Sequence, residues 1–285
     1  EIIAGICFSF GPYISNNFDS IDEKNCWEIL INLSRFIIEN PIIYGYLEAV
    51  TELSIRSRKV SEEYLIFLKN PEMVTPNEHL KPLLLTSLFE YLPDGFIFEN
   101  TDYFYSLVQN SFQVDDFLFR SNFLLLLSKM NLNIEMFTSN PSFVSLIWDF
   151  IYESSQSDIN FPVLSNPLEK LRDLVPDFFE LPNEVITQKL QSVDSENIFG
   201  LVRLLPYLNS DYFQNVFKIL FDFVSENLHI LPKLNDAVFD SLDANFNEQY
   251  VEYMFSILSK NLLKDFDDVS IYLYSLYFPL FEDPE

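Results

Sequence analysis

The chain has 285 residues, 43 Asp and Glu against 17 Lys and Arg, and a net charge of −26 at pH 7. Hydrophobic residues make up 48% of it, far too many for a disordered acidic chain, and a surface this acidic offers no basic stripe for nucleic-acid phosphates. No apolar run approaches the roughly 18 residues that span a bilayer, because the densest stretch, Phe36–Leu47, is interrupted by Glu39, Asn40 and Pro41.

Taken in chain order, apolar spacing predicts helices over 25–39, 42–57, 61–69, 79–92, 102–111, 115–130, 141–154, 167–180 and 182–192, then 194–207, 210–227, 232–242, 247–263 and 268–281. A further helix over 1–10 is expected to end at Gly11-Pro12. Glu1 stands where a signal peptide carries basic residues, and the missing initiator Met leads us to expect a fragment of a longer chain or a processed product. Segment 210–227 shows the pattern well: Tyr212, Phe213, Val216, Phe217, Leu220, Phe221 and Val224 recur at i, i+3, i+4 and i+7 with polar residues opposite. Phe123 to Leu127 is apolar all round, as in a helix covered on several sides. The many Phe and Ile residues favour strands by propensity, yet helical spacing sustained over a dozen or more residues overrules them, and five glycines are too few for the turns of a large β protein.

Start signals agree. Asn40-Pro41, Asn70-Pro71, Asn140-Pro141 and Asn166-Pro167 each place a capping side chain before a proline suited to a first helical turn. The acidic pairs Glu62-Glu63, Asp115-Asp116 and Asp267-Asp268 stand at expected helix starts, where the macrodipole favours them.

The chain therefore reads as all-α. Short connections make successive helices neighbours, and consecutive two-helix units of about 35–45 residues predict a right-handed superhelical stack of helical hairpins rather than a compact irregular bundle. One domain over 1–285 is expected, with the polar stretch 154–165 as a hinge or insertion. The helix pairs, the Asn-Pro junctions and the apolar stripes together resemble the armadillo/HEAT class of α-solenoids, from about Asn25 to Phe281. The resemblance implies a scaffold or peptide-binding role. The Trp and Asn ladder of the nuclear-import adaptors in that class is absent: Trp27 and Trp148 are the only tryptophans, and neither starts such a series.

Residues with chemical potential are scattered. His79 and His229 are far apart, and Cys7 and Cys26 form neither a disulfide framework nor a Cys-x-x-Cys pair. They are expected to be reduced thiols of a cytoplasmic or nuclear protein. Asn32-Leu33-Ser34 is a glycosylation sequon inside a predicted helix, hence read as accidental. Asp19–Glu23 lacks the alternation and the Gly of a calcium loop. Neither a phosphate-cradling loop nor a nucleophile elbow can be assembled from the dispersed glycines, so no enzyme activity, cofactor or metal is expected. Arg56, Arg58 and Lys59 form one basic cluster, read as charge complementing a helix C-terminus and Glu62-Glu63.

The strongest functional pattern is acidic. Pairs at i, i+4 include Glu48/Glu52, Asp149/Glu153, Asp173/Asp177, Asp222/Glu226, Asp236/Asp240 and Glu248/Glu252. Each such pair costs a helix a few tenths of a kcal/mol. They serve either as solvated faces that keep an apolar-rich chain in solution or as a groove recruiting a basic protein segment. We take Glu48, Glu52, Asp149, Glu153, Asp222, Glu226, Glu248 and Glu252 as the candidate binding surface. Tyr272, Leu276, Tyr277 and Leu280 form a candidate terminal packing surface, since an apolar tail without a polar cap implies a further repeat or another subunit. The expected function is a noncatalytic protein-interaction scaffold, with a structural block of a larger complex (a regulatory subunit) as the alternative and an unrecognised enzyme third.

Overall fold

The computed structural model describes residues 2–180, 186–188, 191, 194, 197–204 and 207. Among them every regular element is helical and no strand occurs. The chain divides into two compact units, Glu1–Asn133 and Ile134–Glu285.

The first unit contains α1 (Ile2–Asn17), α2 (Glu23–Ser34), α3 (Asn40–Ser57), α4 (Glu62–Lys69), α5 (Leu80–Ser87), α6 (Phe96–Glu99), α7 (Thr101–Ser111) and α8 (Phe117–Leu127), with 3₁₀ turns at Phe18–Ser20 and Phe89–Tyr91. Helix α1 packs on α3, α3 on α5 and α5 on α8, while α2 packs on α4. The directions follow from the residue pairs. A Cβ on Gly45 would lie 2.7 Å from Phe8 Cδ1, one on Gly11 3.4 Å from the Ala49 nitrogen, and Arg56 Nη2 donates to Ser15 Oγ at 3.0 Å. Positions 8, 11 and 15 thus meet 45, 49 and 56 in rising order, so α1 and α3 run parallel. Small residues at the crossing let the two backbones approach closely.

The same sense continues along the series. Asn77, just before α5, donates its Nδ2 to Asn40 Oδ1 at 2.9 Å and to the Ile38 carbonyl at 3.1 Å, joining the starts of α3 and α5. Tyr44 near the start of α3 tilts against Phe119 of α8 at 5.6 Å and donates to Asp116 Oδ2 at 3.4 Å. Trp27 of α2 packs on Tyr64 of α4 at 4.9 Å, so those helix starts also meet. By contrast α5 and α7 are antiparallel: Glu78 is bonded to Ser111, and Lys81 to Tyr103. The core between them holds Trp27, Leu30, Tyr46, Leu53, Tyr64, Leu84, Phe104 and Phe123, all buried, each large apolar side chain contributing about 1.5–3 kcal/mol.

The second unit contains α9 (Ile134–Thr138), α10 (Pro141–Ser155), α11 (Asn160–Leu174), a 3₁₀ helix at Pro176–Glu180 and α12 (Ile198–Leu204). Trp148 of α10 stacks on Phe178 at 5.5 Å, Phe137 tilts against Phe178 at 4.9 Å, and Phe179 meets Trp148 edge-on at 5.7 Å. Offset and edge geometries suit the ring quadrupoles. Helix α10 packs against both α11 and α12.

Several expected boundaries are corrected. Helix α1 passes through Gly11-Pro12 to Asn17. A helix-interior proline costs about 3 kcal/mol, and burial of Cys7, Gly11 and Ile14 along the inner face of α1 offsets it. The stretch 154–165 is shorter as an interruption than expected, because α11 begins at Asn160 and carries Pro167 inside it. Asn166 is therefore no cap, and Asp173 and Asp177 are separated by the end of α11 at Leu174. Asn140 is a true cap, accepting from the Phe143 N–H at 3.1 Å. Asn40 bonds Asn77 instead, and Asn70 closes a turn by accepting from the Glu72 N–H at 2.9 Å. Helix α2 ends at Ser34 rather than at 39, and short α6 and α9 were not foreseen. The helices expected over 210–227, 232–242, 247–263 and 268–281 lie outside the described residues, as do Asp267-Asp268.

Candidate functional site

Glu48 and Glu52 lie on α3, and Asp149 and Glu153 on α10, each pair one turn apart as the spacing requires. Glu48, Asp149 and Glu153 are exposed. Glu52 is half-buried and faces Arg56 Nε at 3.8 Å, which removes part of its availability to an outside cation. The aliphatic stem of Glu48 lies over Gly11, within 3.1 Å of where a Cβ would stand, so its carboxylate is carried at the rim of the α1–α3 crossing. The first pair belongs to one unit and the second to the other. Asp222, Glu226, Glu248 and Glu252, the tail residues Tyr272, Leu276, Tyr277 and Leu280, and His229 lie outside the described residues.

The basic cluster is partly engaged within the fold. Arg56 bonds Ser15 and pairs with Glu52, Lys59 Nζ stands 3.9 Å from Glu23 Oε1, and Arg58 caps α3 in the left-handed conformation at φ 55°. Arg56 lies in the last turn of α3, where a cation complements the exposed carbonyls. Glu62-Glu63 occupies the first turn of α4, as expected of an acidic pair at a helix start.

Both cysteines are buried free thiols. Burial raises the titration of each, and for Cys26 the carboxylates of Asp22 and Glu23 raise it further, so neither is activated as a nucleophile. His79 precedes α5, half-buried, with its pKa lowered by burial against an opposing push from Glu78. Its Nδ1 is buried without a hydrogen-bond partner. The Asn32-Leu33-Ser34 sequon is helical, and Ser34 is buried with its hydroxyl donating to the Ile31 carbonyl at 2.7 Å. Among the described residues no group of three or more His, Cys, Asp or Glu stands close enough to hold a metal ion, and no helix is long and apolar enough to cross a membrane.

Two buried polar arrangements escaped the sequence reading. Lys81 of α5 is 3% exposed. Its ammonium donates to the Asn70 carbonyl at the end of α4 (2.7 Å) and to Tyr103 Oη of α7 (3.0 Å), with the ring of Phe67 at 5.2 Å. A helix C-terminus, a phenol oxygen and one ring face are the negative poles that a desolvated cation needs. Among the described residues no carboxylate pairs with it, and burial lowers its pKa to about 8. The sequence signal is a lone lysine inside the apolar run Leu80 to Leu85. In the second unit Arg203 is buried, donating Nη1 to the Ser155 carbonyl at 3.0 Å and Nη2 to Asp158, with Phe161 beneath it at 5.8 Å. Lys81 ties α5 to α4 and α7, Arg203 ties α12 to the end of α10 and to Asp158, and each is buried in its own unit.

Tyr46 and Tyr64 share a buried hydrogen bond of 3.0 Å, and Tyr46 donates to the Leu30 carbonyl at 2.6 Å. Burial drives both phenols well above their ordinary range. They join α2, α3 and α4 while keeping every hydroxyl satisfied. No family model, no curated protein and no solved structure matches the chain.

Proposed function

We propose that the chain is a noncatalytic scaffold for protein–protein interaction, built as a right-handed superhelical stack of helical hairpins of the armadillo/HEAT kind. Its acidic surface takes a basic protein segment in the cytoplasm or nucleus. The observation that supports this most is the packing order of the first unit. Helices α1, α3, α5 and α8 follow one another as neighbours with their starts aligned where the contacts fix direction, while α2 and α4 meet in the same way beside them. Repeating hairpins would produce that order, because each helix then meets its counterpart in the next hairpin. Exposed Glu48, Asp149 and Glu153 supply the charge, and the net charge of −26 steers cationic segments inward over a Debye length.

The test is fluorescence anisotropy with Lys/Arg-rich peptides and sequence-scrambled uncharged controls at low and raised salt. Binding of the basic peptides that weakens at least about tenfold on raising salt, and weakens again in the Glu48→Gln/Asp149→Asn/Glu153→Asn variant, is the expected result. No binding, or binding indifferent to salt and to those substitutions, refutes the proposal.

A further inference from the structure

Helix α1 differs from the rest of this acidic surface in carrying no charged side chain along Ile2–Asn17. Its inner face, Cys7, Gly11 and Ile14, is buried in the first unit. The opposite face presents Ile2, Gly5, Ile6, Ser9 and Tyr13, which fall on one side of a 3.6-residue helix, with Pro12 at its edge and Asn16 at its C-terminal end. Ile2 is 81% exposed, Ile6 41% and Tyr13 52%. The Tyr13 ring stacks on Phe10 at 6.3 Å, which holds it in place. Nothing lies within 4 Å of a Cβ built on Gly5. Ser9, the one hydroxyl at the middle of the stripe, already donates to the Gly5 carbonyl at 2.7 Å, so covering it strands no donor.

We infer that this outward face of α1 is a homodimer surface, occupied by α1 of a second copy running antiparallel. Three observations select that occupant. The face is self-complementary when reversed: Ile2 comes opposite Tyr13 of the other copy and Ile6 opposite Ser9, large against small at the centre, with the helix dipoles opposed. Its lack of charge makes it the place where two chains of −26 each can meet without setting carboxylates against carboxylates. A basic peptide finds no carboxylate on it, and a membrane-surface helix would carry the Lys and Arg that α1 lacks. This site is separate from the acidic surface proposed above, and each stands without the other. A 16-residue helix is about 24 Å long, so the contact belongs with small, rapidly exchanging interfaces.

Sedimentation velocity of the whole chain from low to high micromolar concentration tests the inference. A concentration-dependent shift from monomer to dimer is expected, weakened at least about tenfold in Ile6→Glu. Val74→Glu, an exposed position in a loop of the same unit with the same change of charge, leaves the dimer as it was. Circular dichroism confirms that both variants keep the wild-type helix content, as exposed positions should. A monomer throughout the range, a dimer indifferent to Ile6→Glu, or equal weakening by both variants overturns the assignment.

Discussion

Replacing Lys81 by Met removes a buried amine whose folded titration is at about 8 against 10.5 for an ordinary lysine. Each unit of separation is worth about 1.4 kcal/mol, so below pH 8 the charged amine costs the fold roughly 3 kcal/mol relative to a solvated one. The sign follows from the protons. Between about pH 8 and 10.5 the unfolded chain holds a proton that the folded chain has released, so unfolding takes one up and stability rises with pH. Of the groups around the amine, Tyr103 has its pKa raised by burial, the direction that favours the protonated phenol. Tyr46 and Tyr64 act in the opposite direction, but only above about pH 10, where unfolded phenols ionise.

Urea unfolding in a Trp148→Phe background leaves Trp27 as the sole tryptophan, packed on Tyr64 in the same unit as Lys81. Between pH 7.5 and 9.5 the parent is expected to gain about 2 kcal/mol relative to Lys81→Met, with the variant flat in that window apart from background titrations shared by both. The absolute effect of the substitution at pH 7.5 is smaller than the titration alone implies, because Met leaves the Asn70 carbonyl and the Tyr103 hydroxyl without their donor. Parallel pH curves for the two proteins refute the reasoning.

Two further pairs of substitutions check the packing and the caps. Gly45→Ala is expected to destabilise by about 1–2 kcal/mol in thermal unfolding even though alanine favours helices by about 1 kcal/mol, because the new methyl lies 2.7 Å from Phe8 Cδ1 and 3.0 Å from the Phe8 nitrogen. Gly5→Ala, in open space, stabilises by up to about 1 kcal/mol. Asn140→Ala costs about 1 kcal/mol through loss of the Phe143 cap, whereas Asn166→Ala, exposed inside α11, is neutral or stabilising by a few tenths of a kcal/mol in urea unfolding.

Among the described residues, periodicity, caps and composition were enough to read the all-α class and the positions of most helices, because those are local properties. Spacing at i, i+3 and i+4 marks an apolar face wherever it lies, as it does in α3, α7 and α10. Asp116 and Ser61 mark the starts of α8 and α4 with side chains that bond the backbone only a few residues on. The exposure of Glu48, Asp149 and Glu153 was legible for the same reason, each lying across the helix from a buried stripe.

Tertiary contact decided the rest. Asn40-Pro41 and Asn140-Pro141 are the same dipeptide, yet Asn40 turns to Asn77, which is distant in the chain, and leaves its helix uncapped by a side chain. Gly11-Pro12 reads as a stop, yet the close crossing with α3 carries α1 through it. Lys81 is buried only because α4 and α7 close over it and supply a carbonyl, a hydroxyl and the Phe67 ring. Local hydrogen bonds are worth about 1 kcal/mol each, and packing across helices outweighs them wherever several large side chains are buried together.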